Sequence, residues 1–244
     1  MGSIRQKILP VAIAVLLFGR TVSLPGFSLQ PISQHFEPSG SMSSQTFQLH
    51  NPGNSPIAIE LSMHTRELQP DGSEVREPAN DLFSIFPGRV ILDPGERRTV
   101  RVRWIGPAEI DSEQAFRLLA EQLPVNLTGD EAAPESGGVI TIMYRYLAAV
   151  YVTPERAEAD VHAEVIDATN GETRIRISNS GSQHRLLNSL ELIVQYADGS
   201  STLLTSADLP GLAGTNLLAG SWRDYPISDS SSSEVTDVSL ILPD

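Results

Sequence analysis

The stretch GGVITIMYRYLAAVYVTP, Gly137 to Pro154, gathers β-branched, aromatic and small apolar residues into one run, opened by two glycines and closed by a proline. That composition predicts a strand. Side chains alternate between the two faces of a strand. Val139, Thr141, Met143, Leu147 and Ala149 therefore share one side, and Ile140, Ile142, Tyr144, Tyr146 and Ala148 the other. Arg145 interrupts the first row. A strand half-buried in its own domain needs one apolar face, and this one has two. Two explanations are open on the residues alone: a central sandwich strand covered on both sides, or a strand that offers one face to a partner.

The segments around this run have the same style. In SSQTFQLHN (Ser43–Asn51), Phe47 and Leu49 alternate with Thr46, Gln48 and His50, and NPGNSP turns the chain. IAIELSM (Ile57–Met63) keeps Ile57, Ile59, Leu61 and Met63 in phase. RVILDPGERRTVRVRW (Arg89–Trp104) reads as two strands around Asp93-Pro94-Gly95, with Val100, Val102 and Trp104 opposed to Arg101 and Arg103. After a polar break, PERAEAD (Pro154–Asp160), the pattern resumes with AEVIDATNGETRIRISNSG and its Asn170-Gly171 turn signal, then SLELIVQYADGSSTLL. A serine-rich loop, SDSSSSE, precedes the last strand, VTDVSLIL. Short strands at this spacing predict an all-β protein of two sandwich domains, residues 27–154 and 155–244. One segment points two ways. DSEQAFRLLAEQLP (Asp111–Pro124) consists of helix formers behind Ser112 as a candidate N-cap. At period two, Phe116, Leu118 and Ala120 instead share a face opposite Arg117, Leu119 and Glu121.

The first residues carry Arg5 and Lys7 ahead of the apolar run Ile8–Gly19, which predicts a secretory signal peptide over residues 1–26, cleaved between Ser23 and Gly26. The run is shorter than a bilayer span of about 20 residues. The sequence has 17 basic and 30 acidic residues, a net charge of −13. Loss of Arg5, Lys7 and Arg20 with the signal would leave 14 against 30, or −16. That balance argues against nucleic acid. Lys7 is the only lysine, and there is no cysteine, so burial alone must stabilise an exported chain. His35, His50, His64, His162 and His184 form no metal-binding pair, and the sequence has neither a nucleophile elbow nor a phosphate-binding loop. No enzymatic activity, cofactor, metal or small-molecule substrate is predicted.

Three motifs in order resemble the periplasmic pilus-assembly chaperones of the chaperone–usher pathway. ILDPGERRTVRV supplies Pro94, Gly95 and Arg101 of a turn-and-strand signature; DSEQAFRLLAEQLP supplies Asp111, Glu113, Phe116 and Pro124 of a second. ITIMYRYLAAVYVTP is similar to the long strand that closes the first domain of that family, and FEPSGSMSSQTFQLHNPGNSPIAIEL fits its opening hairpin. The likeness covers Phe27 to Pro154; beyond it, only an RDY at Arg223–Tyr225 stands out.

The resemblance implies two immunoglobulin-like domains in a boomerang arrangement, a strand rather than a helix around Phe116, and two partners, pilus subunits and an outer-membrane usher. It implies donation of the long strand to an incomplete subunit, with Ile140, Ile142, Tyr144 and Tyr146 as the plugging row. The mobile loop would be Val125–Gly138. Members of the family hold a subunit's terminal carboxylate with an arginine and a lysine; the matching positions here are Ser33 and Ala149, both uncharged. Arg145, on the side of Ala149, becomes the candidate for that grip, with an internal pair to an acid such as Glu113 as the other reading. The resemblance also places Glu113 in an interdomain ion network, with Asp224 as partner and Arg101 substituting for a family arginine whose position is Thr153 here. A rival reading with the same fold is an exported adhesion or scaffold module that binds no subunit.

Overall fold

The computed structural model describes residues 26–125, 127, 142–169, 172–227 and 233–242. The signal-peptide run, Ile140, the Asn170-Gly171 turn and most of the Val125–Gly138 loop lie outside the described residues. The first half holds β1 (Ser28–Gln30), β2 (Ser33–Phe36), β3 (Ser44–His50), β4 (Ile57–Thr65), β5 (Glu67–Leu68), β6 (Glu74–Val75), β7 (Phe83–Phe86), β8 (Arg89–Leu92), β9 (Arg97–Trp104), β10 (Gln114–Gln122) and β11 (Arg145–Val152). Two sheets, in the orders β1-β3-β9-β7 and β2-β11-β10-β4-β8, face each other. The alternation in sequence supplies the core between them. Phe47 and Leu49 from β3, Val100, Val102 and Trp104 from β9, Ile59, Leu61 and Met63 from β4, and Phe116, Leu118 and Ala120 from β10 all point inward. Phe83 stands edge-on to Trp104 at 5.1 Å and to Phe116 at 5.0 Å, geometries that favour aromatic pairs beyond their buried area.

The Asp111–Pro124 segment settles as a strand. β10 is hydrogen-bonded between β4 and β11, and its period-two row of Phe116, Leu118 and Ala120 is what the core needs. Burial on that face outweighs a helix propensity of tenths of a kcal/mol per residue. The expected opening hairpin is absent. β1 pairs with β3 in one sheet, and after the cis Gln30–Pro31 bond β2 crosses to the other sheet and runs parallel to β11. Buried Asn51 ties the turns together: its Nδ2 donates to the carbonyls of Ser55 and Leu92, its Oδ1 accepts from Gly53 N, and its own carbonyl accepts from Gly95 N. Gly95 has φ +75, the left-handed region that glycine enters without a Cβ penalty.

The second half holds β12 (Val161–Thr169), β13 (Glu172–Asn179), β14 (Arg185–Leu187), β15 (Glu191–Tyr196), β16 (Ser201–Thr205), β17 (Thr215–Leu217), β18 (Trp222–Ile227) and β19 (Val235–Ile241). They form sheets β12-β13-β18, β14-β17 and β16-β15-β19 around a second core of Ile175, Ile177, Leu192, Val194, Leu217 and Ile227. The protein is thus two β-sandwiches. A small third cluster, Ala149 and Tyr151 of β11 with Leu218, joins them.

Candidate functional site

β11 is where the two explanations for Gly137–Pro154 meet. Its even row enters the first core: Ala148, Val150 and Val152 are buried, Tyr146 stands edge-on to Phe27 at 4.8 Å, and the Tyr144 ring lies against Gly26. Its odd row turns to the other side, where Ala149 and Tyr151 meet Leu218 of the second sandwich. Both faces of Ala148–Val152 are therefore covered, as a central strand requires. The segment before β11 differs. Ile142 and Met143 are each 49% exposed and precede the first strand residue.

Among the described residues, no strand pairs with the edge of β11 just after that segment, at Arg145–Leu147. β2 pairs only with Ala149–Val152. Ala149 N donates to Ile32 O at 2.8 Å and Thr153 N to Phe36 O at 2.9 Å, so odd residues direct their backbone groups toward β2. Gln122 N donates to Tyr144 O at 3.0 Å, so even residues direct theirs toward β10. It follows that the N–H and C=O of Arg145 and Leu147 face outward, on an edge to which no strand among the described residues is paired. An edge with free donors and acceptors is a template for another strand.

Of the expected site residues, Ile142 is exposed, while Tyr144 and Tyr146 are half-buried against the domain's own core, so only part of the row is free. Arg145 is ion-paired with Glu121, its direct neighbour on β10, and not with Glu113. Ser33 and Ala149 are partners across the β2–β11 pair, so the two positions matched to the family's cationic pair do lie side by side.

Glu113 does bridge the sandwiches, through partners other than those expected. Its side chain is 1% exposed. Thr153 Oγ1 donates to Oε2 at 2.8 Å, and His184 N and Nδ1 lie 3.1 and 2.6 Å from Oε1; Glu113 N donates to Ser182 O. The His184 ring stacks on Tyr151 at 4.0 Å, and His35 stacks on Tyr151 at 5.2 Å. Burial, then the neighbouring His184, hold the His35 pKa below its ordinary value against the opposing pull of Glu113. Asp224 is not in this group. It accepts from Arg176 Nε at 2.8 Å and from Nη2 at 3.0 Å, and that guanidinium lies 3.7 Å over the Trp222 ring. Arg101 is exposed on β9, between Thr46 of β3 and Phe86 of β7, in the sheet that does not contain β10 and β11.

Sequence reasoning missed a second charged group at the junction. Glu74 of β6 accepts from Arg66 and from Arg117, and Arg66 also donates to Tyr151 Oη. The sole signal was the position of Arg117 on the face opposite Phe116; nothing marked Glu74, which arrives from a separate hairpin. Among the described residues, no three His, Asp or Glu side chains are placed to hold a metal.

Structural relatives agree with this architecture. They include the chaperone–tip adhesion subunit pre-assembly complex CsuC–CsuE from the archaic chaperone–usher Csu pili of Acinetobacter baumannii (16% identity, 89% of this chain and 97% of that chain, TM-score 0.58). The class 5 fimbriae chaperone CfaA matches at 12% identity over 89% of this chain and 100% of that one, TM-score 0.57. The Salmonella enterica SafA pilin in complex with the SafB chaperone matches at 15%, 88% and 91%, TM-score 0.56. At these identities the likeness establishes the fold. A sequence search of the curated proteins finds no match. The pattern described as "Pili and flagellar-assembly chaperone, PapD N-terminal domain" matches residues 34–158, just over half of the chain. On that match, and with the strand order that accompanies it, the chain belongs to the pilus-assembly chaperones that carry a PapD N-terminal domain.

Proposed function

We propose that this chaperone works in the periplasm, lends β11 to a pilus subunit that lacks a strand, and delivers the subunit to an outer-membrane usher. One observation carries the reading: the bare edge at Arg145 and Leu147, led into by exposed Ile142 and Met143. Backbone groups on that edge supply ladder bonds, and the apolar residues before it supply the plugs of strand addition. The row they extend runs on into the first core, so an occupied subunit groove and the chaperone's own core form one apolar layer. Residues 27–154 and 155–244 act as the two units once residues 1–26 are removed as a signal. N-terminal sequencing of the exported protein is expected to begin between Leu24 and Phe27, and a start at Met1 or Gly2 overturns that part.

The test of the main reading is co-expression with pilus subunits from the same genome, followed by purification from the periplasm. An equimolar complex with the wild type is expected, and none with Ile142→Asp, which would place a charge in a desolvated groove. A complex that survives Ile142→Asp undamaged overturns the assignment of the donor segment.

A further inference from the structure

The outward face of the sheet β1-β3-β9-β7 carries a charge pattern opposite to that of the chain as a whole. On β9, Val100, Val102 and Trp104 enter the core, while Arg97, Thr99, Arg101 and Arg103 are exposed on the other side. Their partners across β3 are His50, Gln48, Thr46 and Ser44. No carboxylate stands in these two rows, or in the outward rows of β1 and β7, although the chain has 30 acidic residues. Among the described residues, no acid pairs with Arg97, Arg101 or Arg103, and Arg97 Nη1 donates to neutral Gln48 at 3.2 Å. Arg89, Arg145 and Arg176, on other strands, each have an acid of their own. Arg98, off the row, is paired with Glu96.

The row from Arg97 to Arg103 runs about 20 Å at the rise of a strand. Beside it a shallow hollow of about 660 Å³ opens over Thr46, Gln48 and Thr99, with Gln30 and Ile32 on its wall. Hydroxyls and amides line it, and no charge does. Apolar side chains flank the face on two sides. Phe86 stands next to Arg101 on β7, Ile32 follows β1, and each is 76% exposed. An acidic peptide would use the cations alone and leave both apolar tips in water. The interface of a bilayer offers phosphates, polar headgroups and the first acyl carbons within a few ångströms of depth, and so meets all three features.

We propose that this face docks the protein on a lipid bilayer that carries anionic phosphodiester headgroups. Arg97, Arg101 and Arg103 take phosphates through the paired N–H donors of their guanidiniums. The hollow takes the polar part of one headgroup, and Phe86 and Ile32 enter the interface. The acidity of the rest of the chain does not oppose this contact. The second sheet lies about 10 Å behind the first, and exposed charges are screened beyond about 8 Å at physiological salt. β11 belongs to that second sheet, so a docked molecule keeps its strand edge turned to water.

The test floats the purified protein with vesicles of phosphatidylglycerol and phosphatidylcholine in equal parts, and with vesicles of phosphatidylcholine alone. Binding is expected to the first kind only, and is expected to fade as salt is raised. Arg101→Gln and Arg103→Gln are each expected to weaken it several-fold, and the double variant to abolish it. Phe86→Ser is expected to weaken binding at every salt concentration and to leave the salt dependence unchanged. Arg89→Gln, in the other sheet, is expected to float as the wild type does. All these side chains are exposed, so the melting temperatures of the variants are expected to stay close to that of the wild type. Equal flotation with both kinds of vesicle, or undiminished flotation of the double variant, overturns the docking face. Absence of flotation with either kind overturns it as well; retention of the wild type, but not of the double variant, on immobilised polyglutamate would then give the face to an acidic polypeptide.

Discussion

Ile142 and Tyr146 stand on one row of the same run, four residues apart, and the fold uses only the second. Ile142→Asp places its charge where the side chain is half exposed, so the free protein is expected to lose no more than about 1 kcal/mol in urea unfolding. Tyr146→Ala removes a ring packed edge-on against Phe27, and a loss of about 2 kcal/mol is expected from the same measurement. Equal losses for the two variants would mean that the row is uniformly buried and that no donor segment precedes β11. The two rows were legible in the sequence, but their owners were not. Tyr144 and Tyr146 are claimed by Gly26 and Phe27, more than a hundred positions away, and nothing local to the run encodes that contact. Glu113 was singled out by its motif, while its hydrogen-bond partner His184 lies in the second half, where only the RDY at Arg223–Tyr225 stood out.

At the scale of the element, β11 is asymmetric in its backbone. Leu147 N–H faces the bare edge, whereas Ala148 N–H faces β10, where Ala148 and Leu118 form a hydrogen-bonded pair. Proline is tolerated on an open edge and costly on a paired one. Leu147→Pro is expected to leave the free protein folded and to abolish subunit capture. Ala148→Pro leaves the Leu118 carbonyl without its donor, a cost of about 1–3 kcal/mol, and is expected to lower the urea midpoint visibly. Reversal of that order would show that the outward edge is not open. β10 gives the matching lesson about legibility. Its helix-forming composition and its period-two row were both on the page, and its place between two other strands decided for the row. Sheet order is a long-range property. For the same reason the crossing of the chain from β1 to β2 was hidden, and with it the limit of the covered edge.

The whole molecule turns on the junction around Glu113. Glu113→Ala removes the acceptor for Thr153 Oγ1 and His184 N and leaves both cores intact. Scattering from the purified variant is expected to show a wider spread of domain orientations at an unchanged melting temperature. An unchanged profile with a lowered melting temperature would make Glu113 a residue of the fold alone. The junction also sets the response to acid. The His35 pKa is depressed in the folded state, so the unfolded chain binds the proton first, and stability falls as pH drops below about 6.5 toward the folded value. The Glu74 carboxyl is depressed as well; its contribution is complete above the ordinary Glu range and is lost as pH falls through the lower folded value. Thermal melts between pH 7.5 and 5 are expected to decline in the wild type and to flatten in His35→Gln.

The bare edge has a colloidal consequence. A chain that waits with open backbone groups invites its own copies to pair with it, which is the first step of aggregation. Exposed Arg145 and its neighbour Glu121 stand at the start of that edge. A second copy docking there would have to strip water from both charges, so the pair works as a gatekeeper against self-assembly. The same charges remain solvated when the edge is free, so the cost falls on self-pairing and not on the free chain.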